Sequence, residues 1–283
     1  MLKSLNSGVT GMKNQQIKMD VIANNIANVA TTGYKTGRVR FQDMISQTNA
    51  RAQTGINAKQ VGLGVQTGSV DTIMTSGSLQ TTGRALDFGI ENSDNSFFTV
   101  SKDGGNANLA YTRDGGFYTN ADGSLVTSSG LSVMGYAAND NGNINTGGEL
   151  QKLNIGKPIK ANGNTYEMQS FNIDSSGVVT GSYSDGEKHV LGQVALSNFS
   201  NPDGLEKAGD DLYIQSANSG TPVVGAPGSA GYGKVQSGFL EMSNVDLANE
   251  FTEMIVTNRA YQANSRSITT SDGMLEELIN LKR

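Results

Sequence analysis

Glycine and proline divide this chain into two ends that can form long helices and a middle that cannot. Residues 1–31 contain only Gly8 and Gly11, and residues 241–283 contain only Gly273. Residues 71–240 hold 27 of the 36 glycines and all four prolines, Pro158, Pro202, Pro222 and Pro227. Both residue types punctuate turns and oppose long helices. The ends therefore read as helix, and the middle as strand and turn. The expected fold class is α+β. N- and C-terminal helices pair as a coiled-coil domain (1–31 plus 241–283), and the middle is all-β.

Hydrophobic spacing refines the ends. Leu2, Leu5, Val9, Met12, Met19 and Ile26 fall on alternating steps of three and four, with Gln16 and Ala23 in the intervening slots. That is one narrow apolar stripe on a helix, a coiled-coil seam rather than a broad face. Toward the other end, Leu247, Met254, Tyr261, Ile268 and Leu275 recur every seven residues. Phe251 and Ile279 stand on the adjacent column, which Asn258, Ser265 and Asp272 interrupt. Ser243 or Asn244 can cap this helix, with Asp246 and Glu250 near its positive end and Lys282-Arg283 at its negative end. Two such seams most simply satisfy each other and then neighbouring chains. Periodicity alone equally allows two ordinary amphipathic helices closing a globular fold.

Between the helices lie short runs of β-formers: Phe97–Val100, Leu125–Thr127, Leu131–Met134 and Val190–Leu196. Asp114-Gly115, Asp122-Gly123, Asn162-Gly163 and Asp185-Gly186 sit beside them, and such pairs favour hairpin turns. The expected organisation is a larger β domain over 71–142 plus 191–240, with a smaller inserted outer β domain over 143–190. Asn139–Asn143 marks the start of the insertion. Residues 32–70, polar and carrying Gly55, Gly62, Gly64 and Gly68, read as an extended connector.

Composition narrows the function. Hydrophobic residues make up 36%, a thin core that leaves room for stability supplied by neighbouring subunits. The net charge of −5 and scattered basic residues argue against nucleic acid. No apolar run reaches the roughly 18 residues of a membrane span. The sequence beginning Met1-Leu2-Lys3-Ser4-Leu5 lacks the apolar core of a secretory signal peptide. Cysteine is absent, which removes disulfides, thiolate catalysis and Cys-based metal sites. The single histidine, His189, stands in a polar stretch with no nucleophile elbow anywhere to complete a triad. Asn120-x-Asp122-Gly123-Ser124 and Asp140-x-Gly142-x-Ile144 lack the closing glutamate of an EF-hand, and hairpin turns explain them. Gly62-x-Gly64 lacks the third glycine of a dinucleotide site. The expectation is a non-enzyme without cofactor or metal; the rival from another class is a secreted binding module.

Specific segments add a family resemblance. Asp20–Asn28, followed by Thr31-Thr32-Gly33-Tyr34-Lys35, resembles the N-terminal signature of flagellar rod and hook proteins, with Asn24, Asn25, Asn28, Gly33, Tyr34 and Lys35 on its positions. Leu86–Ile90, Phe97–Val100, Tyr111–Gly115 and Ala121–Val126 resemble their shared β domain. Gly238–Leu247, containing Asn244, Val245 and Asp246, and Arg259–Ser265 match the C-terminal signature. Asn244–Leu247, Gln262-Ala263-Asn264 and Ser197–Leu205 look more like hook than distal rod, whereas the short 143–190 region also suits a distal rod protein. The resemblance implies a subunit of the extracellular flagellar hook, polymerising with itself into a flexible tube that joins rod to filament. A distal rod protein of the basal body is the alternative. It further implies contacts with distal rod, hook cap and hook–filament junction proteins. Export would be unfolded, through the flagellar type III apparatus without a cleaved signal, with Leu5 and Val9 at the position of an export-gate motif. Both ends of the lone monomer are expected to be largely disordered.

Overall fold

The computed structural model describes residues 2–55, 57–106, 108–139, 142–156, 159–161, 164–184 and 186–281. The chain forms two compact units: Met1–Val29 with Thr36–Ile73 and Val245–Arg283, and Ala30–Lys35 with Met74–Asn244.

In the first unit, helix α1 (Leu2–Ala27) and helix α2 (Leu247–Asn280) account for most of the chain. Residues 32–70, expected as a plain connector, instead contribute two antiparallel ribbons. Strand β1 (Gly37–Asp43) pairs with β4 (Val65–Thr72), and β2 (Gln47–Ala50) pairs with β3 (Lys59–Val61). The reason lies in what β4 turns inward. Val65, Thr67 and Ser69 are half-buried and alternate with exposed Gln66, Gly68 and Val70. The two-residue period is there, but its inner face is partly polar. Thr67 Oγ1 donates to Asn14 Oδ1 on α1 (2.6 Å), and Asn14 Nδ2 donates to the Val65 carbonyl (2.7 Å). A strand held by side-chain hydrogen bonds to a helix leaves no hydrophobic alternation to read.

Among the described residues, the regular structure of the second unit is β-strand apart from a 3-10 turn at Pro202–Gly204. Among the described residues, 13 strands join in one sheet with antiparallel pairings. Its middle holds β7 (Ser96–Ser101) between β8 (Leu109–Thr112) and the strand Ser132–Ala137. The core is aromatic at its centre: Phe98 meets Phe117 edge to face at 5.2 Å between ring centres, and Phe88 lies 5.5 Å from Phe117. On the opposite face of β7, Phe97 packs with Phe199 and Tyr213. Adjacent strand residues point to opposite faces, so the Phe97-Phe98 pair serves two clusters at once.

The region expected to be an inserted domain does not stand apart from this sheet. Strands Met168–Ile173 and Val178–Tyr183 extend it through Lys188–Val194, which pairs with Ser132–Ala137. The hydrophobic run Val190–Leu196 crosses the expected boundary, and its inner residues Val194 and Leu196 belong to the main core. Burying that run ties the segment to the large sheet. Where the insertion was to begin, Gly142 takes φ +75° and its N–H donates to the Asn139 carbonyl (2.8 Å). Asp140, Asn141, Asn162, Gly163, Asp185, Lys282 and Arg283 lie outside the described residues.

Candidate assembly site

Helices α1 and α2 run antiparallel against each other. Ser4 lies beside Ser271 (Oγ to Oγ 3.4 Å), Lys18 Nζ reaches Glu253 Oε2 at 2.5 Å, and Asn25 Nδ2 donates to Glu250 Oε1 at 3.1 Å. The seam itself lies one position away from the stripe that hydrophobicity marks. On α1 the buried positions are Gly8, Gly11, Asn14, Ile22 and Asn25, while Leu5, Val9, Met12, Met19 and Ile26 are half-buried. The Leu2 side chain lies outside the described set. A β-carbon at Gly8 would sit 2.9 Å from Ile268 Cγ1, and one at Gly11 would sit 2.7 Å from Asn264 Nδ2. The two glycines are therefore where the helices approach most closely. A scale that scores side chains as apolar or polar has no way to mark a residue whose contribution is having none.

The same correction applies to α2. Met254, Ile268 and Leu275 of the expected seven-residue column are half-buried, but Leu247 and Tyr261 are exposed. The second column of the seam is Glu250, Thr257, Asn264 and Ser271, not the column of Phe251 and Ile279. Thr257 and Ser271 are buried because they are small. Ser271 Oγ returns its proton to the Ser267 carbonyl (2.9 Å), which removes much of the cost of burying a hydroxyl. Thr257 Oγ1 is buried with no hydrogen-bond partner. Burial pushes the Glu250 carboxyl above the ordinary range, against the hydrogen bond from Asn25.

What α2 does not turn toward α1 is apolar to an unusual degree. Phe251 (51% exposed), Ile255 (63%), Val256 (57%) and Ile279 (65%) stand in water, joined by Met274 and Leu278. These residues run from the first turns of the helix to its last and are each about half exposed or more. Six large apolar side chains exposed on one helix, on more than one of its sides, are available for association with other chains.

The signature residues have identifiable jobs in the fold. In the first unit, Asn25 is buried and brackets Gly37, donating to its carbonyl and accepting from its N–H, both at 2.9 Å. Asn28 Nδ2 donates back to the Asn24 carbonyl (2.9 Å), closing the end of α1. The α2 cap is Asp246, whose Oδ1 accepts from Ala248 N–H at 2.9 Å, rather than Ser243 or Asn244. Asp246 has the extended backbone that a capping position demands.

In the second unit, Asn244 Nδ2 donates to the Thr75 carbonyl (3.1 Å), and Val245 follows it across the boundary, half-buried. Gly33 adopts φ +71°, and its N–H donates to the Glu241 carbonyl (2.8 Å). A β-carbon there would collide with the Asp114 amide at 2.6 Å, so glycine is required twice over. Tyr34 is buried under the Lys207 ammonium, 5.0 Å above its ring. Lys35 is wholly buried, and its ammonium lies 2.5 Å from Glu241 Oε1. Glu241 Oε2 takes Arg113 Nη1 at 3.1 Å, again fully buried. Burial pulls the Lys35 ammonium below its ordinary range, opposed by the charge of Glu241. The roles of Glu241 and Arg113 were not evident from the sequence. The available signal was a charged residue inside each of two β-forming runs, Phe239–Glu241 and Tyr111–Arg113.

His189 stacks edge to face on Tyr183. Asn120–Ser124 is a turn closed by Asn120 N–H to the Ser124 carbonyl (2.9 Å). Among the described residues no group of three metal-ligating side chains converges, and no helix is long and apolar enough to cross a membrane.

These observations define a two-unit α+β chain that brings its terminal helices together and leaves large apolar side chains of the second helix exposed. Known proteins sharpen that class. A family model for flagella basal body rod protein matches residues 5–35, one for the flagellar hook protein FlgE/F/G D1 domain matches 93–181, and one for the flagellar basal body rod FlgEFG protein C-terminal region matches 236–281. The flagellar basal-body rod protein FlgG of Bacillus subtilis is 46% identical over 290 residues, covering all of both chains. FlgG of Borreliella burgdorferi is 37% identical over 291 residues, again covering both fully. The flagellar hook protein FlgE of Borreliella burgdorferi is 32% identical over 448 residues, covering both chains in full. The chain belongs to the flagellar rod and hook protein family, structural components of the flagellum.

Proposed function

We propose that this chain is a distal rod subunit of the flagellar basal body that polymerises with copies of itself through its helical unit. The single observation that carries the polymerisation is the set Phe251, Ile255, Val256, Met274, Leu278 and Ile279, large apolar side chains exposed along α2. Covering these side chains stabilises an assembly by about 25 cal/mol for each Å² of apolar surface withdrawn from water. Further copies of the chain, repeated head to tail, supply the cover.

The rod assignment replaces the hook reading drawn from Asn244–Leu247, Gln262–Asn264 and Ser197–Leu205. Asp246 caps a helix, Asn244 ties to Thr75 and Pro202–Gly204 makes a turn. Such jobs serve the fold and do not separate rod from hook. Identity and length do favour the rod: 46% over 290 positions against 32% over 448, for a chain of 283 residues. Flexible joint behaviour belongs to the hook reading, which remains the second choice. Passage through the flagellar type III apparatus without a cleaved leader, with Leu5 and Val9 as export-gate residues, accompanies either. Neighbouring axial proteins, including the hook proteins beyond the rod, would be the heterologous partners.

Two experiments test the proposal. Full-length protein should form filaments above a threshold concentration, and Phe251→Ser/Ile255→Ser should raise that threshold without unfolding the monomer. A chain that stays monomeric at high concentration overturns polymerisation. Gold-labelled antibody on isolated basal bodies should decorate the rod; labelling confined to the external hook overturns the rod assignment.

A further inference from the structure

Glu241 is the meeting point of two chain segments that are 206 residues apart in sequence, and no assembly surface accounts for it. It lies in the strand Phe239–Glu241, which pairs with β5 (Leu79–Thr81) over three residues: Phe239↔Thr81, Leu240↔Gln80 and Glu241↔Leu79. An isolated two-stranded pair this short has little stability of its own and little to fix its register. Yet it leads directly toward α2 in sequence, while Gly33 and Lys35 follow directly from α1.

Every acceptor of Glu241 is committed. Oε1 takes the Lys35 ammonium and the Gly77 N–H (2.9 Å), Oε2 takes Arg113, and the backbone carbonyl takes the Gly33 N–H. The cations make further contacts, although Arg113 Nε is buried without a hydrogen-bond partner. Lys35 Nζ donates to the Thr75 carbonyl (2.8 Å), and Arg113 Nη2 donates to the Ser93 carbonyl (2.8 Å) with its guanidinium 4.9 Å above the Phe97 ring. Asp94, at the surface and hydrogen-bonded by Ser76, supplies a second negative charge to the neighbourhood. Buried ion pairs are poor contributors to net stability compared with apolar side chains of equal volume. In some proteins such pairs serve instead to select one arrangement. A one-residue slip of Phe239–Glu241 would turn the carboxylate to the other face of its ribbon, leaving two buried cations without their anion.

We propose that Lys35, Glu241 and Arg113 form a positioning clasp. It locks the register of the strand before α2 in sequence against the segment after α1, so that these two segments are fixed to each other within the β unit before any second copy arrives. The proposal rests on the assembly reading for its purpose but not for its geometry. The clasp acts in the single chain, and its effect is read there.

The experiment uses full-length protein held below the assembly threshold, with hydrogen exchange followed at individual amides. The Gly33, Thr82 and Met242 N–H groups donate across the clasped segments to Glu241, Gly238 and Ser78 carbonyls. The Val100 and Val133 amides report the sheet core. In Glu241→Gln, exchange at the three reporter amides should rise by about tenfold or more while the core amides stay protected. The apolar triple variant Lys35→Met/Arg113→Met/Glu241→Leu should regain thermal stability while keeping fast exchange at the reporters and a raised assembly threshold. If the triple variant restores wild-type exchange and threshold together, the ions merely fill space and the proposal falls. A uniform rise over reporters and core in Glu241→Gln also overturns it. Should the triple variant not fold, Lys35→Met decides: faster exchange at Gly33 with a protected Val100 supports the clasp, and unchanged exchange at Gly33 ends it. Wild-type protein that never assembles would sink the assembly reading and leave these exchange results standing.

Discussion

The two units of this chain solve the burial problem in opposite ways. The β unit closes its own core: Phe88, Phe98, Phe117, Val133 and Val194 are sealed from water, and even its charged residues Lys35, Arg113 and Glu241 are paired inside. The helical unit uses glycine, serine, threonine and asparagine for its internal seam and leaves Phe251, Ile255 and Ile279 outside. A unit that spends its large apolar side chains on the inside is finished as a monomer. One that keeps them outside is finished only by neighbours. The lesson is that composition alone underrates such a chain, because its thin apolar content is divided between folding and association.

That contrast can be broken most directly by exchanging the burdens. Phe98→Ala removes a ring packed against Phe88 and Phe117, and should cost the β unit about 3–5 kcal/mol in urea unfolding. Phe251→Ala, of the same chemistry on α2, should change monomer stability by no more than about 0.5 kcal/mol while weakening assembly. Equal losses in both variants would erase the distinction.

The next effect sharpens the helical side. Gly11→Leu places a branched side chain where even a β-carbon would lie 2.7 Å from Asn264 Nδ2 and force that side chain to move, and overpacking of this kind costs about 1–3 kcal/mol. The expected result is reduced helicity by circular dichroism with the β unit intact. Smaller still is Asp246→Ala, which strips the α2 cap and should cost about 1 kcal/mol of helix stability, seen as fraying of Ala248 and Asn249 in amide exchange.

The smallest effects separate the units by pH. Burial raises the Glu250 carboxyl, so the folded helical unit holds this proton more tightly than the unfolded chain does. Its contribution is fully present below the ordinary glutamate value and is lost as pH rises through the folded value; Glu250→Gln should flatten that acid-side slope. In the β unit, burial raises the Tyr111 and Tyr213 hydroxyls. Stability there should hold to about pH 10 and decline as pH rises further through the folded values, measured by thermal unfolding against pH.

The sequence by itself determined that the ends are helices and the middle is β, because glycine and proline act locally on backbone freedom and need no partner to do so. It also carried the family, since Gly33, Lys35, Asn244 and Asp246 stand in recognisable segments. It could not place the seam. Gly8, Gly11, Thr257 and Ser271 are small residues whose value is closeness, and closeness exists only once a second helix is present. Nor could it show the ribbons over 32–70, held by Asn14, or the union of Lys35, Arg113 and Glu241. Those depend on polar groups meeting across long separations in sequence, where hydrogen-bond geometry decides and hydrophobic period says nothing.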